Sequence, residues 1–275
     1  GIFRGYEPLL LIPIGFGVML ANIPGGSMAV VTVAEDPDIK KMGLLALTEK
    51  HGIMNLLYYT LIKSGLLPPL IFMGVGAMTD FGPMLRNLKL AFFGAAAQLG
   101  IFTVLIAAVL IGFTPQEAGA LGIIGGADGP TAIYTSIVLA PHLLGPIAIA
   151  AYSYMALVPV IIPLVVKYTV SKDELAINMK EMDRLYPTRY EIKTLRRVKI
   201  LFPIVLTILV AIIVPSATPL LGLLLFGNLI KEVGSSTSRL FQAASESIMN
   251  AATIFLGLTI GATMTSATFL ESQTL

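Results

Sequence analysis

The 275-residue chain has no Cys, no Trp and only two His. Without thiols this chain can build no disulfide, thiolate zinc site or iron–sulfur cluster. Two imidazoles are too few for a His-built metal centre. Lack of Trp leaves Tyr and Phe to form any aromatic belt at a membrane interface. Charge is scarce as well. Asp, Glu, Lys and Arg make up 12% of the residues, about half of the ~25% that a soluble domain carries. The net charge of +2 provides no broad basic field for nucleic acid. What fills the chain is apolar: 56% of residues, with mean hydropathy +0.86. The reading is an integral membrane protein whose medium is the lipid bilayer. The 26 Gly and 17 Pro exceed what uninterrupted spanning helices hold. That surplus predicts breaks.

Apolar runs and their interruptions give the map. Pro8 to Ala21 is short for a span, which needs ~20 residues, and it stops at Asn22-Ile23-Pro24-Gly25-Gly26. A polar stretch from Glu35 to His51 follows. Ile53 to Met78 is cut by Lys63-Ser64-Gly65 and Pro68-Pro69 and reads as two helical pieces. Leu90 to Phe113 is a clean span. Ala118 to Leu139 is long enough to cross, but its middle is Gly125-Gly126-Ala127-Asp128-Gly129-Pro130. Gly145 to Val166 is a further full-length span. Ile200 to Val214 and Leu220 to Ile230 are shorter runs. Lys231 to Ser247 reads as a polar connector and Ile248 to Thr263 as the last apolar run. Continuous rather than alternating runs exclude a β-barrel. The expectation is an all-α, polytopic membrane helical bundle forming one domain over 1–275, with roughly seven or eight segments, several of them broken. Lys167 to Lys199 holds nine of the 18 Lys and Arg, which by the positive-inside rule puts this basic loop in the cytoplasm. The chain starts at Gly1 and stops at Leu275 in mid-pattern, so further sequence is expected beyond one or both ends.

The chemistry concentrates where charge is rarest. Between Lys89 and Lys167 there are only two charged residues, Glu117 and Asp128. Glu117 follows Thr114-Pro115-Gln116, a helix start with an acid in its first turn, and reads as an interfacial cap. Asp128 sits about 15 Å into its run at 1.5 Å per residue, near the midplane. An ionisable group there is expensive and faces a partner or a water-filled cavity. No base in the run can pair with it. Breaking the helix at Gly126, Ala127 and Gly129 frees backbone carbonyls, tolerated at depth only where they line protein or a cavity. A carboxylate plus carbonyls is a hard oxygen set suited to Na⁺ or H⁺, as in the discontinuous helices of ion-coupled transporters. A kinked helix with a buried, protonated Asp128 is the plainer alternative.

Thr131 and Ser136 are hydroxyls available either to the ion or to the broken backbone. Tyr154 lies mid-run, away from the interfaces where belt tyrosines belong, and its phenol needs a partner such as Asp128 or its ion. Tyr152 and Ser153 are secondary candidates, with Tyr152 on a different face. Asn22 and Asp80 stand at run boundaries, where helix stop and helix cap are the simpler readings. Asn228, Thr259 and Thr263 read as helix-packing polar groups, and His51 and His142 as interfacial residues. On these residues alone, a secondary Na⁺-coupled symporter of a small organic anion remains an open alternative.

Several motifs carry a resemblance over nearly the whole chain. They are Gly122-Ile123-Ile124-Gly125-Gly126-Ala127-Asp128-Gly129-Pro130-Thr131, Gly15-Phe16-Gly17 with Leu20-Ala21-Asn22-Ile23-Pro24, Gly76-Ala77-Met78-Thr79-Asp80-Phe81-Gly82-Pro83, Ala151-Tyr152-Ser153-Tyr154-Met155-Ala156-Leu157-Val158-Pro159, Phe226-Gly227-Asn228-Leu229 and Phe255-Leu256-Gly257-Leu258-Thr259. With these the sequence resembles the β subunits of sodium-pumping biotin-dependent decarboxylases, which act on oxaloacetate, methylmalonyl-CoA, glutaconyl-CoA or malonate. The resemblance implies a multi-pass subunit of the bacterial cytoplasmic (inner) membrane that takes carboxybiotin from a partner's carrier domain, decarboxylates it with proton consumption and moves Na⁺ outward. Biotin would be carried by a partner subunit and not covalently on this chain. The implied partners are biotin-carrier and carboxyltransferase subunits and a small membrane subunit, with this chain a homo-oligomer inside the complex. Asp128 falls on the family's essential membrane aspartate and Tyr154 on a tyrosine implicated in Na⁺ or proton transfer. A first membrane helix before Gly1 and a second, repeated half after Leu275 are also implied, so the chain would be one half plus of an internally repeated, transporter-like fold.

Overall fold

The computed structural model describes residues 8–31, 35–178, 181–182, 185 and 195–266, and every regular element among them is helical. In order, α1 is Pro8–Ala21, α2 Leu44–His51, α3 Ile53–Leu57, α4 Leu67–Met78, α5 Gly82–Arg86, α6 Ala91–Ile111 and α7 Pro115–Gly122. They are followed by α8 Gly129–Leu139, α9 Leu144–Thr169, α10 Lys172–Leu175, α11 Leu195–Ile213, α12 Thr218–Val233, α13 Ser238–Gln242 and α14 Met249–Thr263. Much of the basic loop, including 179–180, 183–184 and 186–194, lies outside the described residues.

Glycine sets how the body packs. In a bilayer, helix association depends on close van der Waals contact, which small residues permit. α1 lies along α14 with backbones nearly touching: a Cβ on Gly17 would collide with Leu258 O, and one on Gly261 with Ile14 O. α4 and α12 repeat the device, since a Cβ on Gly76 would strike Leu224 O and one on Gly227 would strike Met73 O. The glycine surplus therefore serves helix contact as much as helix breaking. Leu10, Ile14, Ile71, Ile133, Tyr152 and Leu256 share the main buried cluster, which joins α1, α4 and α14 to the inner faces of α8 and α9.

Among the described residues, two helical stretches are long and apolar enough to cross a membrane, Leu88–Ile111 and Ser235–Thr263. Two bent pairs would add two more, Ile53–Ile62 with Leu67–Met78 (62°) and Pro141–Tyr154 with Leu157–Thr169 (49°). This is fewer than the seven or eight segments expected. Breaks cut the apolar runs into pieces such as α1 and α8, which are apolar but 14 and 11 residues long. α6 ends on Gly112 in the left-handed conformation (φ 110°) and leaves nearly all of its apolar surface exposed, as a lipid-facing helix does.

One expectation needs correction. Lys231 to Ser247 is not a connector: α12 runs through Val233, and after Gly234 a continuous helical stretch begins that includes a π turn at Ala243–Ile248. Its charges are spaced out at Arg239 and Glu246, so they do not interrupt helical hydrogen bonding. The Gly145 to Val166 run lies in one helix, α9, which is bent where Pro159 cannot donate to the carbonyl four residues earlier.

Candidate functional site

α7 begins with a capping box. Thr114 Oγ1 accepts from the Glu117 amide, and Glu117 Oε2 accepts from the Thr114 amide at 2.8 Å. Glu117 also meets His142 Nε2 at 2.7 Å, tying the start of α7 to the turn that opens α9. The Thr114 amide, then His142, hold the Glu117 carboxyl down at about 2. The expected cap role is what the structure has.

α7 cannot continue past Gly122. Its end tightens into a 3₁₀ turn, Ile123–Gly126, that packs on α6 backbone to backbone: a Cβ on Gly125 would lie 2.6 Å from the Gly100 carbonyl carbon. Ala127 then takes the left-handed conformation (φ 55°, ψ 39°), costly for a residue with a Cβ. Asp128 is extended and caps α8, with Pro130 in the first turn. The C-terminal end of α7 thus presents carbonyls and the negative end of its dipole, while the N-terminus of α8 presents amides. A cation is favoured on the first side and the Asp128 carboxylate on the second.

Asp128 is half-buried. Its side chain makes no capping bond to the helix amides, and the Thr131 hydroxyl donates to its Oδ2. Ser136 is fully buried but bonds back to Ala132 O, so its hydroxyl satisfies its own helix. Tyr154 stands at the bend of α9 and packs on the cluster holding Ile123, Ile124 and Ala132, around the break. Tyr152 faces the other way, into the main core, and is 2% exposed. Both phenol hydroxyls are buried without a hydrogen-bond partner, a condition shared among the described residues only with Thr218. Each such group costs ~1–3 kcal/mol unless something fills the gap. Ser153 is exposed on α9.

The other candidates lie elsewhere. Asn22 Nδ2 donates to Val18 O and to Met264 O (2.8 and 2.9 Å), and its Oδ1 accepts from Ser266 N, so it joins the ends of α1 and α14. Asp80 pairs with Lys199 at 2.8 Å, and Lys199 reaches Glu232 at 3.2 Å. Lys199 and the Gly82 amide hold the Asp80 carboxyl below its ordinary value. Neither Asn22 nor Asp80 bonds to the Asp128 carboxyl. Asn228 donates to Gly76 O and Thr79 O, closing the end of α4. Thr259 and Thr263 bond back along α14. His51 joins Asp36 at 2.9 Å near the surface.

Sequence reasoning missed Asn55. It is wholly buried, accepts from Val31 N (2.8 Å) and donates to Ala29 O (2.9 Å) and His51 O (2.7 Å). Together with the Val30 N to Ala262 O bond, it fixes the extended stretch after the Asn22 break. A lone amide inside Ile53-Met54-Asn55-Leu56-Leu57 was the available signal. Among the described residues, no group of three or more His, Cys, Asp or Glu could hold a metal ion.

Comparison with known proteins agrees along the full length. Residues 1–275 match the family described as the Na⁺-transporting oxaloacetate decarboxylase beta subunit. A methylmalonyl-CoA decarboxylase subunit beta from Propionigenium modestum is 48% identical, covering 100% of this chain and 68% of the relative. A glutaconyl-CoA decarboxylase subunit beta from Acidaminococcus fermentans is 46% identical, covering 100% and 65%. An oxaloacetate decarboxylase beta chain 2 from Salmonella typhi is 44% identical, covering 100% and 71%. The chain spans about two thirds of the length of these relatives.

Proposed function

The chain belongs to the family of Na⁺-transporting decarboxylase β subunits, and on that premise we propose that the helix break at Asp128 is where it carries Na⁺ across the membrane. The observation that supports this reading is the break itself: the Asp128 carboxyl stands at it, bonded by the Thr131 hydroxyl and without a capping bond to α8, and the buried, unpartnered phenol of Tyr154 packs on the cluster around the same break. Na⁺ is cargo here. It would bind the Asp128 carboxylate, carbonyls freed at Gly126, Ala127 and Gly129, the Thr131 hydroxyl and Tyr154. Residues 1–275 are read as one membrane domain with the 167–199 segment cytoplasmic.

The driving reaction belongs to the complex. A partner's carrier domain would deliver carboxybiotin; the bond from its nitrogen to the carboxyl carbon breaks, CO₂ leaves and the nitrogen takes a proton. Na⁺ arriving at Asp128 displaces a proton, directly or through Tyr154, and that proton is one source for the biotin nitrogen. Loss of CO₂ makes return unfavourable, and a gating motion exposes the ion outward. The work required is ~2.3 kcal/mol per charge per 100 mV.

The test is Asp128→Asn in the assembled complex reconstituted in vesicles. Na⁺ uptake and Na⁺-stimulated decarboxylation should both fall to background; normal Na⁺-stimulated turnover would refute the assignment. Avidin should block wild-type transport. Solute-coupled uptake insensitive to avidin would instead favour a symporter.

A further inference from the structure

The basic groups at the start of α11 differ in what they meet. Arg196 donates to Val233 O at the end of α12 (3.2 Å), and Lys199 lies between Asp80 and Glu232 (2.8 and 3.2 Å). Arg197 is exposed, and its guanidinium pairs with no group among the described residues. One turn on, at Leu201, its edge of the helix becomes apolar. From Val198 through Leu201, Phe202, Val205 and Leu206 to Leu209 runs a groove of ≈ 280 Å³ without a hydrogen-bonding side chain. At 1.5 Å per residue it covers ~16 Å, the depth of one leaflet of a ~30 Å hydrocarbon core. Phe202 is held on one flank by Phe81, with ring centroids 5.2 Å apart. Leu201, Val205 and Leu209 are exposed.

We propose that this groove holds one acyl chain of an anionic phospholipid, with the lipid phosphate on Arg197, in the leaflet on the side of the basic segment 167–199. Two observations choose the occupant. Where long helices meet closely in this protein they do so at glycine, through Gly17 and Gly261 or through Gly76 and Gly227. The groove face has no Gly, Ala or Ser, and its branched and aromatic side chains keep a second backbone at a distance. A flexible hydrocarbon chain lies between such side chains without that close approach. The second observation is charge. The groove ends at a cation with no counter-charge from the protein, and a guanidinium takes a phosphate through two parallel N–H···O bonds. Basic groups at one face of a membrane protein recognise anionic head groups in this way. A zwitterionic lipid offers the same chain but brings its own ammonium beside Arg197. A lipid seated here covers α11 next to the Asp80–Lys199–Glu232 network, so its binding stabilises the end of the body where α11 joins α12.

The experiment uses the assembled complex in detergent. Dioleoyl-phosphatidylglycerol or dioleoyl-phosphatidylcholine, which carry identical chains, is titrated into the micelles and thermal unfolding is read. Phosphatidylglycerol should raise the Tm at the lower concentration. Arg197→Gln should raise its half-maximal concentration about fivefold, the weight of one basic group at an anionic surface, and leave the phosphatidylcholine curve in place. Lys89→Gln, at an exposed lysine outside the groove, should change neither curve. Val205→Trp, which fills the groove, should weaken the response to both lipids. Equal wild-type responses to the two lipids, or a phosphatidylglycerol preference that survives Arg197→Gln, overturn the proposal. So does an equal loss of preference in Lys89→Gln, which would mean a diffuse surface charge and no site. Unchanged curves in Val205→Trp, or release of a partner subunit by it, overturn the proposal as well, the latter because a helix would then cover this face. Should Arg197→Gln fail to assemble, spin-labelled forms of the two lipids decide on the wild-type complex. A larger motionally restricted fraction is expected for phosphatidylglycerol, and equal fractions overturn the proposal.

Discussion

Around Asn22 and around Asp128 the chain leaves helical geometry, and the two places treat their polar groups in opposite ways. After α1, Asn22 bonds three backbone partners, Asn55 bonds three more, Val30 N reaches Ala262 O and Tyr59 Oη reaches Val31 O. That break is closed by its own residues. Around Asp128 the accounts stay open. Among the described residues the carboxyl accepts from Thr131 and makes no capping bond to α8, and the phenol of Tyr154, packed on the cluster around the break, is buried without a partner. A break whose groups are all satisfied needs nothing from outside. One that leaves a carboxyl uncapped and a phenol unpartnered has bonding capacity left over, which on the proposed reading a hard cation takes up.

The contrast can be broken or sharpened by substitutions on either side of it. After Asp128→Asn, the largest effect on rate is expected from Tyr154→Phe. On the proposed reading, in which its phenol passes protons, the substitution should cost about a hundredfold in Na⁺-coupled turnover with thermal unfolding unchanged; wild-type turnover would return Tyr154 to a packing role. Asn55→Ala should act on the opposite quantity. It strands the Val31 amide and two carbonyls, for a loss of ~1–3 kcal/mol seen as a lowered Tm, while Na⁺ half-saturation stays put. A change in Na⁺ affinity there would mean that the two breaks are not independent. Glu117→Gln should do least. Because the Glu117 carboxyl is depressed from 4.5 to about 2 in the folded protein, its contribution is present above pH ~4.5 and lost as pH falls toward ~2. Wild type and variant should therefore differ slightly at neutral pH and converge in acid unfolding. A gap that widens in acid contradicts the assignment.

Much of this was legible in the chain. Local signals were reliable where one residue type has one use: Thr114 three before Glu117 gave the capping box, and the Gly-Gly-Ala-Asp-Gly-Pro stretch gave the break, which leaves Ala127 left-handed and Pro130 in the first turn of α8. What stayed hidden depends on partners far along the chain. Nothing local says that Gly76 meets Leu224, that Gly227 meets Met73, or that Asn55 reaches back to Ala29 and Val31. The 231–247 stretch was misread because its polarity suggests a loop, while its spacing leaves helical hydrogen bonding intact. Tyr152 and Tyr154 were separable by face from the sequence, but their missing partners were not, since an unmet hydrogen bond exists only in three dimensions.

The central claim is that the open break binds Na⁺ and the closed one does not, and Na⁺-dependent stabilisation of the assembled complex tests it most directly. A ligand that binds the folded state raises its stability by RT ln(1 + [L]/Kd). Titrating Na⁺ against an inert cation should raise the Tm of the wild-type complex. Asn55→Ala should show the same increment from a lower starting point, and Asp128→Asn none. A Na⁺-specific increment of wild-type size in Asp128→Asn would contradict the account.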